Sequence, residues 1–164
     1  MWNRVVSDLL AWHRWGMAFL TGASMAVIAL IIVVPGGAGA TGVAMDIDMD
    51  MTWSPSDNPF VILNDIAVID AELTILPGVE VEFNGPYHIA CQGKGRIVAR
   101  GTGDDPICIT SSNAASHYFD YIETGAGGVF TNCTMSYGTG GLLLQSDAVV
   151  CDSGFSWSDQ GARI

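Results

Sequence analysis

AELTILPGVEVEFNGPYHIACQGKGRIVARGTGDDPICITSS, from Ala71 to Ser112, decides the fold. Apolar and polar residues alternate one by one in it. Val79, Val81 and Phe83 interleave with Glu80 and Glu82, and Ile97 and Ala99 with Arg96, Val98 and Arg100. A period of two marks a strand with one buried face. Turn signals stand between the runs: Pro77-Gly78, Asn84-Gly85-Pro86, Gly93-Lys94-Gly95 and Gly103-Asp104-Asp105-Pro106. Asn84-Gly85 would open a tight antiparallel hairpin, but Pro86 follows at once and spoils it.

The same grammar continues on both sides. FVILND and IAVIDA precede the stretch, and FDYIET, VFTNCTMS, LLLQ, AVVCDSGFS and ARI follow it. Turn residues recur every 6 to 12 positions, and no helical period of 3.6 is visible. A coarse repeat is visible instead. Cys91 and Cys108 are 17 apart, Cys133 and Cys151 are 18 apart, and Gly141-Leu142 is echoed by Gly161-Ala162. One coil per 17 to 22 residues accounts for that spacing, the mark of a solenoid and not of a sandwich.

A strand ending in Pro-Gly, then V-x-V-x-F, G-x-I-x-A-x-G-T and P-I-x-I-T-S resembles the right-handed parallel β-helix repeat family of secreted and cell-surface proteins. Leu73, Ile75, Pro77, Gly78, Val79, Val81, Phe83, Gly95, Ile97, Ala99, Gly101, Thr102, Pro106, Ile107, Ile109 and Thr110 carry the match, and the likeness extends over residues 60–164. It implies an all-β fold, a right-handed parallel β-helix (solenoid), and no particular chemistry. On that register Arg96 and Arg100 are expected to pair with Glu80 and Glu82 on a neighbouring coil, at well under about 1 kcal/mol each. An N-terminal cap is expected at Phe60 to Val68. Gly161-Ala162-Arg163-Ile164 reads as the start of another coil, so the β-helix is expected to continue beyond the last residue.

Residues 1–40 read as a targeting device. Arg4, His13 and Arg14 precede an unbroken apolar run of 18 residues, Met17 to Val34, and Ala38-Gly39-Ala40 offers a cleavage pattern of small residues. The run is also just long enough to span a bilayer as a helix. A cleaved signal peptide and an N-terminal membrane anchor both remain open, and both place the body outside the cytoplasm. Residues 41–59 read as an acidic linker.

The charge of the body is strongly negative. Beyond Thr41 four cations, Lys94, Arg96, Arg100 and Arg163, stand against 16 Asp and Glu, which disfavours nucleic acid as a partner. Asp46, Asp48 and Asp50 alternate with Ile47 and Met49, and on a strand would share a face suited to weak Ca²⁺ binding; a plain acidic strand or a tether is the rival reading. Four cysteines in an exported chain allow two disulfides, but their repeat spacing favours buried thiols, with Cys133 stacked on Cys151. His88 and His117 have no partner at motif spacing, and no catalytic residue is named. Asn132-Cys133-Thr134 is a glycosylation sequon on Asn132.

These features point to an exported, non-catalytic scaffold, stalk or adhesive module. Its expected partners are the membrane, if the N-terminal segment is uncleaved, and a surface polysaccharide or another cell-surface protein. The N-terminal part of a β-helix polysaccharide lyase or glycoside hydrolase is the alternative, and a secreted cation-binding module is a third.

Overall fold

Every turn signal in Ala71–Ser112 becomes a corner between sheets. The computed structural model describes residues 32–33, 39–113, 118–156 and 162–163, with backbone only for the first and last pairs. The apolar run before Ile32 and His117 lie outside the described residues, as does the expected N-terminal helix.

Three parallel sheets wrap one interior. The chain visits them in the same order on each turn. The first coil is β2 (Thr41–Val43), a bridge at Ile47 and β3 (Met51–Trp53). The second is β4 (Phe60–Ile62), β5 (Ile66–Ile69) and β6 (Glu72–Ile75). The third is β7 (Glu80–Phe83), β8 (Ile89–Gln92) and β9 (Arg96–Arg100). The fourth is β10 (Ile107–Ser111), β11 (Phe119–Glu123) and β12 (Val129–Thr131). The fifth is β13 (Cys133–Ser136), β14 (Gly138–Leu143) and β15 (Val149–Cys151). β16 (Gly154–Ser156) and β17 (Ala162–Arg163) open a further turn. A short β1 (Ile32–Val33) pairs antiparallel with β2 at the outer edge of the first sheet.

The expected linker is therefore part of the solenoid. β2 pairs parallel with β4, β3 with β6, and Ile47 bridges Val68, so residues 41–53 form the first coil. Short strands broken by Asp and Met hid it. The strands near Phe60 to Val68, expected as the cap, belong to the second coil.

Like side chains stack in columns, because parallel pairing repeats each inward position one strand spacing above the last. Trp53, Ile75, Ala99, Phe130 and Val150 form one column, and Ile66, Ile89, Ile122 and Leu142 another. All but Val150 are buried. The inward expectation for Val79, Val81, Phe83, Ile97 and Ala99 holds, each being at most 1% exposed. Aromatic stacking adds to it: Phe83 lies on Phe119 with centroids 4.6 Å apart, and Trp53 on Phe60 at 4.7 Å. At Pro77-Gly78 the Val79 amide closes a turn onto the Leu76 carbonyl, with Gly78 at φ +76°.

Coil length varies. Ile89 stacks on Ile122, an offset of 33 (122 − 89), whereas Leu142 stacks on Ala162, an offset of 20 (162 − 142). The Gly141-Leu142 echo is thus a true repeat, but the cysteine echo is not. Asn132 and Asp152 make equivalent corners, both with left-handed φ (+48° and +47°), which aligns Thr131 with Cys151 and Cys133 with Ser153. Cys133 is buried in the first sheet, while Cys151 is exposed in the third. Cys91 and Cys108 sit half-buried on different sheets, and all four thiols are free.

Candidate functional site

The acidic residues find work between coils. Asp46 Oδ1 accepts the Ala67 amide at 2.8 Å, Asp50 Oδ1 the Glu72 amide at 2.8 Å, and Asp70 Oδ1 the Lys94 amide at 2.9 Å. Asn58 does this twice over: Oδ1 accepts the Glu80 amide at 2.9 Å and Nδ2 donates to the Gly78 carbonyl at 2.7 Å. Each side chain stands at a corner, where the backbone leaves the sheet ladder and its donors need partners. Thus Asp46 and Asp50, proposed with Asp48 as Ca²⁺ ligands, are turned to the second coil. Among the described residues no three His, Cys, Asp or Glu side chains gather where they could hold a metal ion.

The most chemically furnished patch is the outer face of the second sheet. Asp65 Oδ1 accepts the His88 amide at 3.2 Å and lies 3.1 Å from His88 Nδ1. The His88 ring stacks on Tyr121 of the next coil, with centroids 4.6 Å apart and planes 12° from parallel. On β11 Glu123 reaches back to the previous coil, where Oε2 accepts the Cys91 amide at 3.0 Å, and the Gln145 amide donates to its other oxygen. Cys91 Sγ in turn donates to the Glu123 carbonyl. Burial, aided by the Glu123 charge, pushes the Cys91 thiol up to about 12, so it stays protonated and is no nucleophile at neutral pH. Burial first, then Glu123, Asp120 and Asp65, also raises the Tyr121 phenol. The column can orient an imidazole and offer a flat ring at the surface.

Sequence reasoning missed the Asp65–His88–Tyr121 column. Its members are 23 and 33 residues apart (88 − 65; 121 − 88), and no motif spans unequal coils. The expected ladder of Arg96 and Arg100 on Glu80 and Glu82 is likewise replaced. β9 stacks on β6 and not on β7, so Arg96 meets Glu72, with Nε 2.7 Å and Nη2 2.6 Å from Oε2.

Asn132 occupies its corner with Nδ2 donating to the Gly101 carbonyl at 3.3 Å. Asp104 and Asp105 lie in the turn before β10, where Thr102 Oγ1 accepts the Asp105 amide and the Asp105 carbonyl accepts the Gly78 amide. Asp120 is exposed and Glu123 half-buried on the same strand.

The N-terminal end of the solenoid is apolar. A cavity of about 560 Å³ opens there between Val43, Ile47, Met51, Trp53 and Phe60. The exposed Met45 and Met51 line it together with Asp46 and Asp57. Among the described residues no helix is long and apolar enough to cross a membrane.

No family model, no curated protein and no solved structure matches this chain. The fold stands on its own geometry, a parallel β-solenoid of about five turns.

Proposed function

We propose that this chain is an exported β-helix scaffold, a rigid stalk or adhesive module held at or released from the cell surface, and not a catalyst. Membership among right-handed β-helix repeat proteins, with the coil sense that implies, is part of the proposal. The supporting observation is the inter-coil clamp series. Asp46, Asp50, Asn58, Asp65 and Asp70 each spend a side-chain oxygen on a backbone amide of the following coil. Side chains that could do chemistry here stiffen the stack. The apolar run and its preceding positive charges support export.

Surface proteolysis tests this. In intact cells of its host, added protease should digest the body, and a fractionation that leaves the chain in the cytosol would overturn export. The enzyme reading draws on one observation, the Asp65–His88 pair beside Tyr121. Incubation with a panel of acidic and neutral polysaccharides separates the two. New reducing ends or unsaturated sugars that vanish in His88→Ala would replace the scaffold with a lyase or hydrolase.

A further inference from the structure

We infer that Met45, Met49 and Met51 form a binding site for a soft monovalent cation, Cu(I), held by three thioether sulfurs at the N-terminal end of the solenoid. The site goes beyond the scaffold reading and stands whether or not the body is exported.

The pattern is Met45-Asp46-Ile47-Asp48-Met49-Asp50-Met51. Its backbone is fixed. Ile47 bridges Val68, its amide donating to the Ala67 carbonyl and its carbonyl accepting the Ile69 amide, both at 2.8 Å. Asp46 and Asp50 clamp the segment to the second coil on either side of that bridge, and β3 pairs with β6 from Met51 onward. On this base the methionines stay in the open. Met45, Met49 and Met51 are 47%, 58% and 37% exposed, whereas Met135 is buried in the core. All three line a second cavity of about 560 Å³, together with Asp46, Asp48 and Asp65. Three flexible thioether arms on a fixed frame can close around one ion.

The donors select the ion. An apolar docking patch would not set Asp46, Asp48 and Asp50 between its anchors, because charged residues are depleted from interface cores. A hard cation such as Ca²⁺ needs about six or more oxygen ligands. Asp46 and Asp50 each commit an oxygen to the second coil and Asp65 faces His88, and among the described residues no three acidic, His or Cys side chains gather. What gathers is sulfur. Thioethers are soft donors that select Cu(I) over Ca²⁺ and Mg²⁺. They carry no charge to draw a cation from water, and the exposed Asp48 and the strongly acidic body supply that attraction. A thioether also has no proton to lose, so binding should not follow pH as it does at cysteine or histidine.

Methyl NMR of the full chain with isotope-labelled methionine tests the site. The chain carries Cys108→Ser and Cys151→Ser; Cys91 and Cys133 stay protonated, pushed up by burial. Cu(I) is added anaerobically as its acetonitrile complex. The methyl resonances of Met45, Met49 and Met51, assigned through single Met→Leu variants, should shift together and saturate at one ion per chain, while Met135 stays still. Each leucine variant keeps the volume and should weaken binding at least about tenfold, since losing even a residue behind a ligand costs that much. Affinity should be equal at about pH 7.5 and about pH 5.5, on either side of the histidine range. Ca²⁺ should move none of the three. Should the serine background misfold, the unmodified chain should show the same joint shift once its thiols are filled, and Met51→Leu should move that shift of Met45 and Met49 to higher Cu(I). No shift, methyls that shift separately without saturation, or a joint shift that every leucine variant keeps would overturn the site. So would an affinity that falls as the histidines protonate.

Discussion

Asn58 is the sharpest test of the clamp series, because one side chain serves two backbone groups of the third coil. Asn58→Ala removes the acceptor of the Glu80 amide and the donor to the Gly78 carbonyl. A net hydrogen bond contributes about 1 kcal/mol. The pair is therefore worth about 2 kcal/mol, since Gly78 is half-buried and water replaces the lost donor only in part. For a domain of this size 1 kcal/mol moves the melting point by about 4 °C, so the variant should melt about 8 °C lower. Asn58→Asp keeps the acceptor and loses the donor, and should cost about half as much. Urea unfolding followed by circular dichroism measures both, and hydrogen exchange at the Glu80 amide reports the local site. It should exchange faster in Asn58→Ala and nearly as in the parent in Asn58→Asp. The reasoning fails if Asn58→Ala stays within about 0.5 kcal/mol of the parent, the range of an ordinary surface substitution. It fails equally if the aspartate is as damaging as the alanine.

Three further outcomes follow from the same geometry. A double-mutant cycle on Arg96 and Glu72 should return a coupling below about 1 kcal/mol, because both side chains are part-exposed, and the cycle on Arg96 and Glu80 should return none. In the native chain an alkylating reagent should modify the exposed Cys151 first and the buried Cys133 only after denaturation, as peptide mass mapping would show; equal labelling would refute the register. Stability should also fall in alkali. Burial raises the Cys91 thiol from 9.0 to about 12 and the Cys133 thiol to about 11. A raised folded value means that the neutral thiol favours the fold, so this contribution is full below about pH 9 and is lost on rising toward the folded values. The urea midpoint should drop more between about pH 8 and about pH 11 in the parent than in the Cys91→Ala, Cys133→Ala double variant, and parallel profiles would refute it.

Alternation at Val79, Val81 and Phe83, and at Ile97 and Ala99, was legible because the two-residue period is a local property of a strand. Where coils are equal in length the stacking was legible too, as in Leu142 over Ala162. The cysteine pairing failed by two residues. The corner residues Asn132 and Asp152 set the true repeat, and their left-handed backbone leaves only a faint mark in sequence. Likewise 41–53 hid its place in the solenoid, since strands of three residues with aspartates between them look like a tether until a second coil lies beneath them.

Sequence alone thus determined that Val79, Val81, Phe83, Ile97 and Ala99 face inward, and with that the all-β solenoid, but not the side on which Cys151 lies. Which coil neighbours which side chain was decided only by tertiary structure. Glu72 beneath Arg96, Asp65 beneath His88 and Tyr121 above it depend on the loops between strands, whose lengths differ from coil to coil. A strand's pleat repeats every two residues whatever surrounds it. The offset between stacked strands is the sum of all the corners in one circuit of the chain, and no local pattern fixes that sum.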